Sequence, residues 1–146
     1  MILKDQIPNL EVAGNWINNV VTNEDLLRNN KMTLIHFWAL SCDICKKNMS
    51  LINDVAETFP DRLNIVGIHS PISPEDYIVE DIENAVMALN IKHPIFLDVK
   101  SKIKEDFEAT YVPAYYLFDE TGSLRFSQFG SKIKMLNNRI KKFINT

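Results

Sequence analysis

Two cysteines, Cys42 and Cys45, are the only ones in the 146-residue chain, and two residues separate them. They lie in Leu34–Met49, LIHFWALSCDICKKNM, where an apolar and aromatic run stops at Ser41 and a charged segment begins. A C-x2-C pair has three chemical readings. Half of a structural zinc site would need about four ligands in all, and the remaining candidates, His36, His69 and His93, share no metal-ligand spacing, so no metal is expected. Two inert buried thiols are the second reading. The third, a redox pair, is favoured because the motif falls at a strand-to-helix junction in a chain without other cysteines.

That junction supplies a mechanism. Residues three apart share one face of a helix, close enough for a disulfide. Cys42 falls at the helix N-terminus, where unpaired backbone N–H groups and the dipole favour an anion. Its thiol is therefore expected to ionise readily, and the thiolate is the species that attacks disulfides. Cys45, a turn further in, is expected to be more buried and to resolve the mixed disulfide. The Asp43 carboxylate opposes the thiolate while Lys46 and Lys47 favour it. The expectation is a dithiol on the reducing side, nearer the roughly −270 mV of thioredoxin than the −120 mV of a strong oxidant.

The elements around the pair read in order. Residues 1–15 form an irregular lead-in with Pro8 and Ala13-Gly14-Asn15 as turn signals, and Trp16-Ile17 a short edge strand. Thr22 caps a helix to about Asn29, with Glu24 and Asp25 in its first turn. Met32–Ala39 is apolar except for Thr33 and His36, the pattern of a strand covered on both faces. From Asp43, apolar residues recur at three and four until Pro60. Leu63–Ile68 is a second buried strand. Ser70–Glu80, with two prolines and three acids, reads as a surface loop leading into a helix bearing Ile82, Val86 and Leu89. Pro94–Asp98 is a strand and Ser101–Phe107 a short helix. Ala114–Phe118 and Leu124–Phe129 form a hairpin about Asp119-Glu120-Thr121-Gly122. Ile133, Leu136, Ile140 and Phe143 give a last helix one apolar face. With right-handed crossovers, helices fall on both sides of a central sheet, an α/β sandwich in a single domain, 1–146.

Composition narrows the function classes. With 46% apolar and 24% charged residues the chain suits a soluble core. A net charge of −3 gives no global field toward nucleic acid or anionic lipid, and the basic stretch Lys132–Lys142 reads as the solvated face of a helix. No run approaches the about 18 apolar residues of a membrane span. Lys4, Asp5 and Glu11 interrupt the N-terminal stretch where a secretory leader needs an unbroken apolar core, so a cytoplasmic protein is expected.

With FWALSCDICKKNM, then TYVPAYYLFDETG and SQFG before a final helix, the chain resembles the thioredoxin superfamily, and within it the TlpA/ResA-like thiol–disulfide oxidoreductases. The resemblance runs from about Met32 to the C-terminus. It implies a thioredoxin-like three-layer α/β/α sandwich with a mixed central sheet, Ser70–Asp98 supplying an inserted strand–helix block. It also implies that the Val112–Pro113 bond is cis, so that the backbone of Val112 faces the cysteines and an extended substrate adds there like a strand. The activity implied is dithiol–disulfide exchange with protein partners, without a bound cofactor, by a monomer recharged by an upstream dithiol reductase.

Four positions depart from the family pattern. His36 stands six residues before Cys42, where thioredoxins carry a buried acid. A neutral imidazole there can accept the proton of Cys45, and a satisfied core histidine is the alternative. Asn48 replaces the glutamate of ResA-type proteins three residues after Cys45, and Ser50 a helix proline. Ser41 stands where thioredoxins often have tryptophan. Trp38 on the central strand reads as packing or as a substrate contact, and His69 as a loop anchor, a surface residue or a lining of the site. One ring of Tyr115-Tyr116 is expected to face the core and the other a helix or solvent. Two other functions stay open: a redox-sensing module whose disulfide changes a surface without turnover, and a thiol peroxidase, for which a P-x3-T-x2-C pattern is absent.

Overall fold

The computed structural model describes residues 1–145; Thr146, the last residue of the expected domain, lies outside the described residues. Strand β1 is Asn15–Ile17 and helix α1 Asn23–Leu27. Thr22 accepts the Asp25 N–H while the Asp25 carboxylate accepts the Thr22 N–H, a reciprocal cap that closes the first turn. Strand β2, Met32–Trp38, is buried at every position, and α2, Asp43–Thr58, follows it. Then come β3 (Leu63–His69), a 3-10 turn over Pro74–Tyr77, α3 (Val79–Ala88), β4 (Ile95–Leu97), α4 (Lys102–Asp106), β5 (Ala114–Phe118), β6 (Leu124–Phe129) and α5 (Ile133–Ile144).

The six strands make one sheet in the order β1-β4-β3-β2-β5-β6. β2, β3 and β4 run parallel, while β1, β5 and β6 are each antiparallel to a neighbour. β2 is therefore central, which is why its side chains are apolar on both faces. β6, at an edge, alternates buried with more open positions.

Even-numbered residues of β2 face one layer. Leu34 and Trp38 pack there with Cys45, Met49 and Ile52 of α2, Ile82 and Val86 of α3, and Leu136 and Ile140 of α5. Ile35 and Phe37 face the other layer, against Ile103 of α4, Leu26 of α1, and Ile7 and Leu10 of the lead-in. The lead-in is irregular but anchored: Lys4 N–H donates to the Leu124 carbonyl, and Leu124 N–H to that of Asp5. Tyr115 and Tyr116 are both buried on opposite faces, Tyr115 in the α2 layer and Tyr116 among Phe37, Phe107 and Phe129.

One sequence reading is corrected. Ser70–Glu80 is not simply a surface loop: Ser70 and Asp76 are buried, although Ile72, Tyr77 and Ile78 are about half exposed. An acid can be buried here because four donors meet its carboxylate.

Candidate active site

Cys42 is the N-cap of α2, and its sulfur accepts the Cys45 N–H at 3.2 Å. The two cysteines are joined in a disulfide, their Cα atoms 5.3 Å apart. Cys45 is buried at 3% exposure while Cys42 is only partly covered. The asymmetry follows from the helix: position N3 faces the sheet and the cap residue faces out. Ile44, between them, is 47% exposed.

The opposing wall comes from the start of β5. Ala114 pairs with Phe37 near the C-terminal end of β2, the end from which the chain enters α2. Val112 and Pro113, immediately before Ala114, therefore lie at the disulfide end of the sheet, and the bond between them is cis. Pro113 is buried and Tyr111 is exposed at 57%. Gly130 N–H holds the Pro113 carbonyl at 2.9 Å.

A polar layer lies on the α2 side of the sheet. His36, on the α2 side of β2, is fully enclosed, with its Nε2 2.7 Å from Nε2 of His93. Burial, reinforced by His93, holds His36 well below the ordinary histidine range, and burial pushes His93 down to about 3. Both rings are therefore neutral at pH 7, and one donates to the other. Gly67 makes room for the pair: a Cβ there would stand 3.0 Å from the His36 Nε2. Asn48, one turn after Cys45, donates its Nδ2–H to the Tyr115 hydroxyl at 3.2 Å. Burial raises the Tyr115 phenol, so it stays protonated. Trp38 is buried at 1% exposure, edge-on to His69 with ring centroids 4.9 Å apart. Of its two readings, that burial favours packing.

The segment before Cys42 is clamped by the last residue of β3 and by the 3-10 turn that follows it. His69 Nε2 accepts the Leu40 N–H at 3.0 Å, which makes it a loop anchor. Asp76 accepts from the Ser41 N–H at 2.8 Å and the Ser41 hydroxyl at 2.7 Å. It also takes the N–H groups of Ile72 and Ser73 at 2.9 and 3.0 Å. Burial works against ionising Asp76, but these donors, Ile72 foremost, outweigh it and hold the carboxyl below the usual range. Burial takes His69 down to about 4, against a partial opposing pull from Asp76. Neither Asp76 nor His93 was singled out by sequence as part of the site. Their partners lie 35 and 57 residues away in the chain, and no local spacing signals such contacts.

Residues 3–127 match the AhpC/TSA family. The chain belongs to the AhpC/TSA family. It is 40% identical over 145 residues to the thiol-disulfide oxidoreductase YkuV of Bacillus subtilis, spanning 99% of this chain and 97% of that one. That kinship places this AhpC/TSA-family chain among the thioredoxin-like thiol–disulfide oxidoreductases. A thioredoxin-like protein solved in solution in its oxidised form superposes with a TM-score of 0.93 at 39% identity, over 99% of this chain and 98% of that one. The sporulation thiol-disulfide oxidoreductase A of B. subtilis is 25% identical over 122 residues, covering 82% of this chain and 73% of its own.

Proposed function

We propose that the protein cycles its Cys42–Cys45 pair against disulfides of protein partners, as a cytoplasmic reductant acting as a monomer. The observation that carries this reading is the disulfide at the mouth of α2, with the Cys42 sulfur on the first-turn N–H of Cys45 and a cis Val112–Pro113 bond at the same end of the sheet.

In the reduced protein the Cys42 thiolate attacks a substrate disulfide, forming one S–S bond and releasing one substrate sulfur as a thiolate. Backbone N–H groups of the first turn stabilise the attacking anion. The substrate lies extended along the backbone of Val112, ahead of Pro113, in the manner of an added strand. Cys45 then attacks the Cys42 sulfur, the mixed disulfide breaks, and the substrate leaves reduced by two electrons. The Cys45 proton leaves as that thiol attacks, and the neutral His36 ring, held in place by His93, relays it onward without keeping it, because burial holds that ring well below the ordinary histidine range. An upstream dithiol reductase restores the pair, and no bound cofactor takes part.

Insulin reduction driven by dithiothreitol tests the proposal. The wild-type protein should turn over well above the dithiothreitol background, and Cys42→Ser should fall to that background. A chain that forms its disulfide yet gives no rate above background would point instead to a redox sensor.

A further inference from the structure

We propose that Asp76 is the positioning residue that sets the redox poise of the pair, its buried carboxylate opposing the Cys42 thiolate through Ser41. The proposal rests on the assignment of Cys42 as the attacking thiol. It moves the opposing charge from the neighbour in sequence to a residue of the inserted block.

Two acids could act on Cys42, and they differ in setting. Asp43 is adjacent in the chain, but its side chain is 85% exposed and lies 3.5 Å from the Lys46 ammonium. Water and a countercharge screen most of its field. Asp76 is 1% exposed, and among the described residues no lysine, arginine or charged terminus pairs with it. Its neighbour His69, from the end of β3, is neutral at pH 7. A buried, unpaired carboxylate acts through a low-dielectric path, where a charge interaction is several times stronger than in water.

The path to Cys42 is short. Both Asp76 oxygens hold Ser41, one through its N–H and one through its hydroxyl, and Ser41 precedes Cys42 directly. The hydroxyl proton is thereby committed to the carboxylate and is not available to donate to a thiolate beside it. Charge and hydrogen bonding act in the same direction. Both raise the free energy of the thiolate, which exists only in the reduced protein, and so favour the disulfide. Other charged groups near Cys42 are Lys46 and Lys47 on α2, both acting the opposite way. The first-turn N–H groups of α2 also favour the thiolate, so Asp76 sets how far that pull is offset.

The test uses the full-length chain with Cys45→Ser, so that Cys42 alone titrates, read by ultraviolet thiolate absorbance against pH. Adding Asp76→Asn should lower the midpoint by about one unit, whereas Asp43→Asn should leave it nearly in place. Ser41→Ala keeps the carboxylate but strips away a donor that neutralises it, so the midpoint should rise. In the two-cysteine protein, equilibration with dithiothreitol should show Asp76→Asn shifted toward the dithiol by up to about tenfold, or about 30 mV. An unchanged midpoint in Asp76→Asn, or an equal shift in Asp43→Asn, overturns the proposal. Should Asp76→Asn not fold, the Ser41→Ala arm decides: a rise supports the role of the charge, and no change or a fall overturns it. Mapping alkylation in the reduced wild type separates this from the parent reading. Labelling at Cys45 first would sink the assignment of Cys42 as attacker, while the Cys42 titration would still decide for or against Asp76.

Discussion

His36 is where residue chemistry asks most of the fold, because a polar ring sits in the central strand with another imidazole as its partner at 2.7 Å. Replacing His36 by leucine removes the proposed proton acceptor but leaves the cysteines in place. The first attack should keep its rate, while resolution of the mixed disulfide should slow by about 10²-fold or more at neutral pH. The defect should shrink at alkaline pH, where Cys45 ionises unaided; stopped-flow fluorescence of the reaction would separate the two steps. His93→Leu strands the His36 Nε2 in the core and should cost about 1–3 kcal/mol in denaturant unfolding. The histidines also give stability a pH signature. In the unfolded chain they protonate near the ordinary 6.5, but in the fold only near about 4 for His69 and about 3 for His93. Stability is therefore full above pH 6.5. As pH falls from there toward 4 and then 3, the unfolded state takes up protons that the folded state does not. The loss should amount to a few kcal/mol in order of magnitude. Asp76 and Asp119, held below the ordinary 3.8, add their loss only in more acid solution. Urea titrations across pH 7 to 4 would check this; a flat profile over that range would contradict it.

At the scale of elements, β3 carries a constraint that its sequence does not advertise. Gly67 lies between His36 and Ile95 in the sheet, and a Cβ there would come within 2.4 Å of the Ile95 Cδ1. Gly67→Ala should destabilise by about 1–3 kcal/mol through overpacking, measured by denaturant unfolding, and should disturb the imidazole pair as well. The buried strands and α2 were legible because period and apolar runs report burial on one or two faces. Thr22 was legible as a cap because its partner Asp25 is three residues on. The segment 70–80 was misread because prolines and acids signal a solvated loop, while the donors that satisfy Asp76 include Ser41, remote in sequence. The cis bond at Pro113 followed from the family resemblance and not from local composition, since an X-Pro bond alone is cis in only about 5–6% of cases.

The whole molecule links redox state to stability. If the fold holds the pair on the reducing side of an unstructured dithiol, the same free energy stabilises the oxidised protein against unfolding. The oxidised form should then unfold at a higher denaturant midpoint than the reduced form, and a potential above about −180 mV would contradict the reducing role. No described helix is long and apolar enough to cross a membrane, and the net charge is only −3. The surface is thus without a strong global field, and in the proposed function recognition falls to the disulfide end of the sheet. Sedimentation should give the mass of one chain in both redox states. The division of labour between the two cysteines is the central claim. Trapping tests it directly: Cys45→Ser and Cys42→Ser proteins are each mixed with a disulfide-bonded protein substrate and resolved without reductant. Cys45→Ser should accumulate a one-to-one mixed disulfide through Cys42, and Cys42→Ser should accumulate none; adducts through Cys45 in the Cys42→Ser protein, with none in the other, would contradict it.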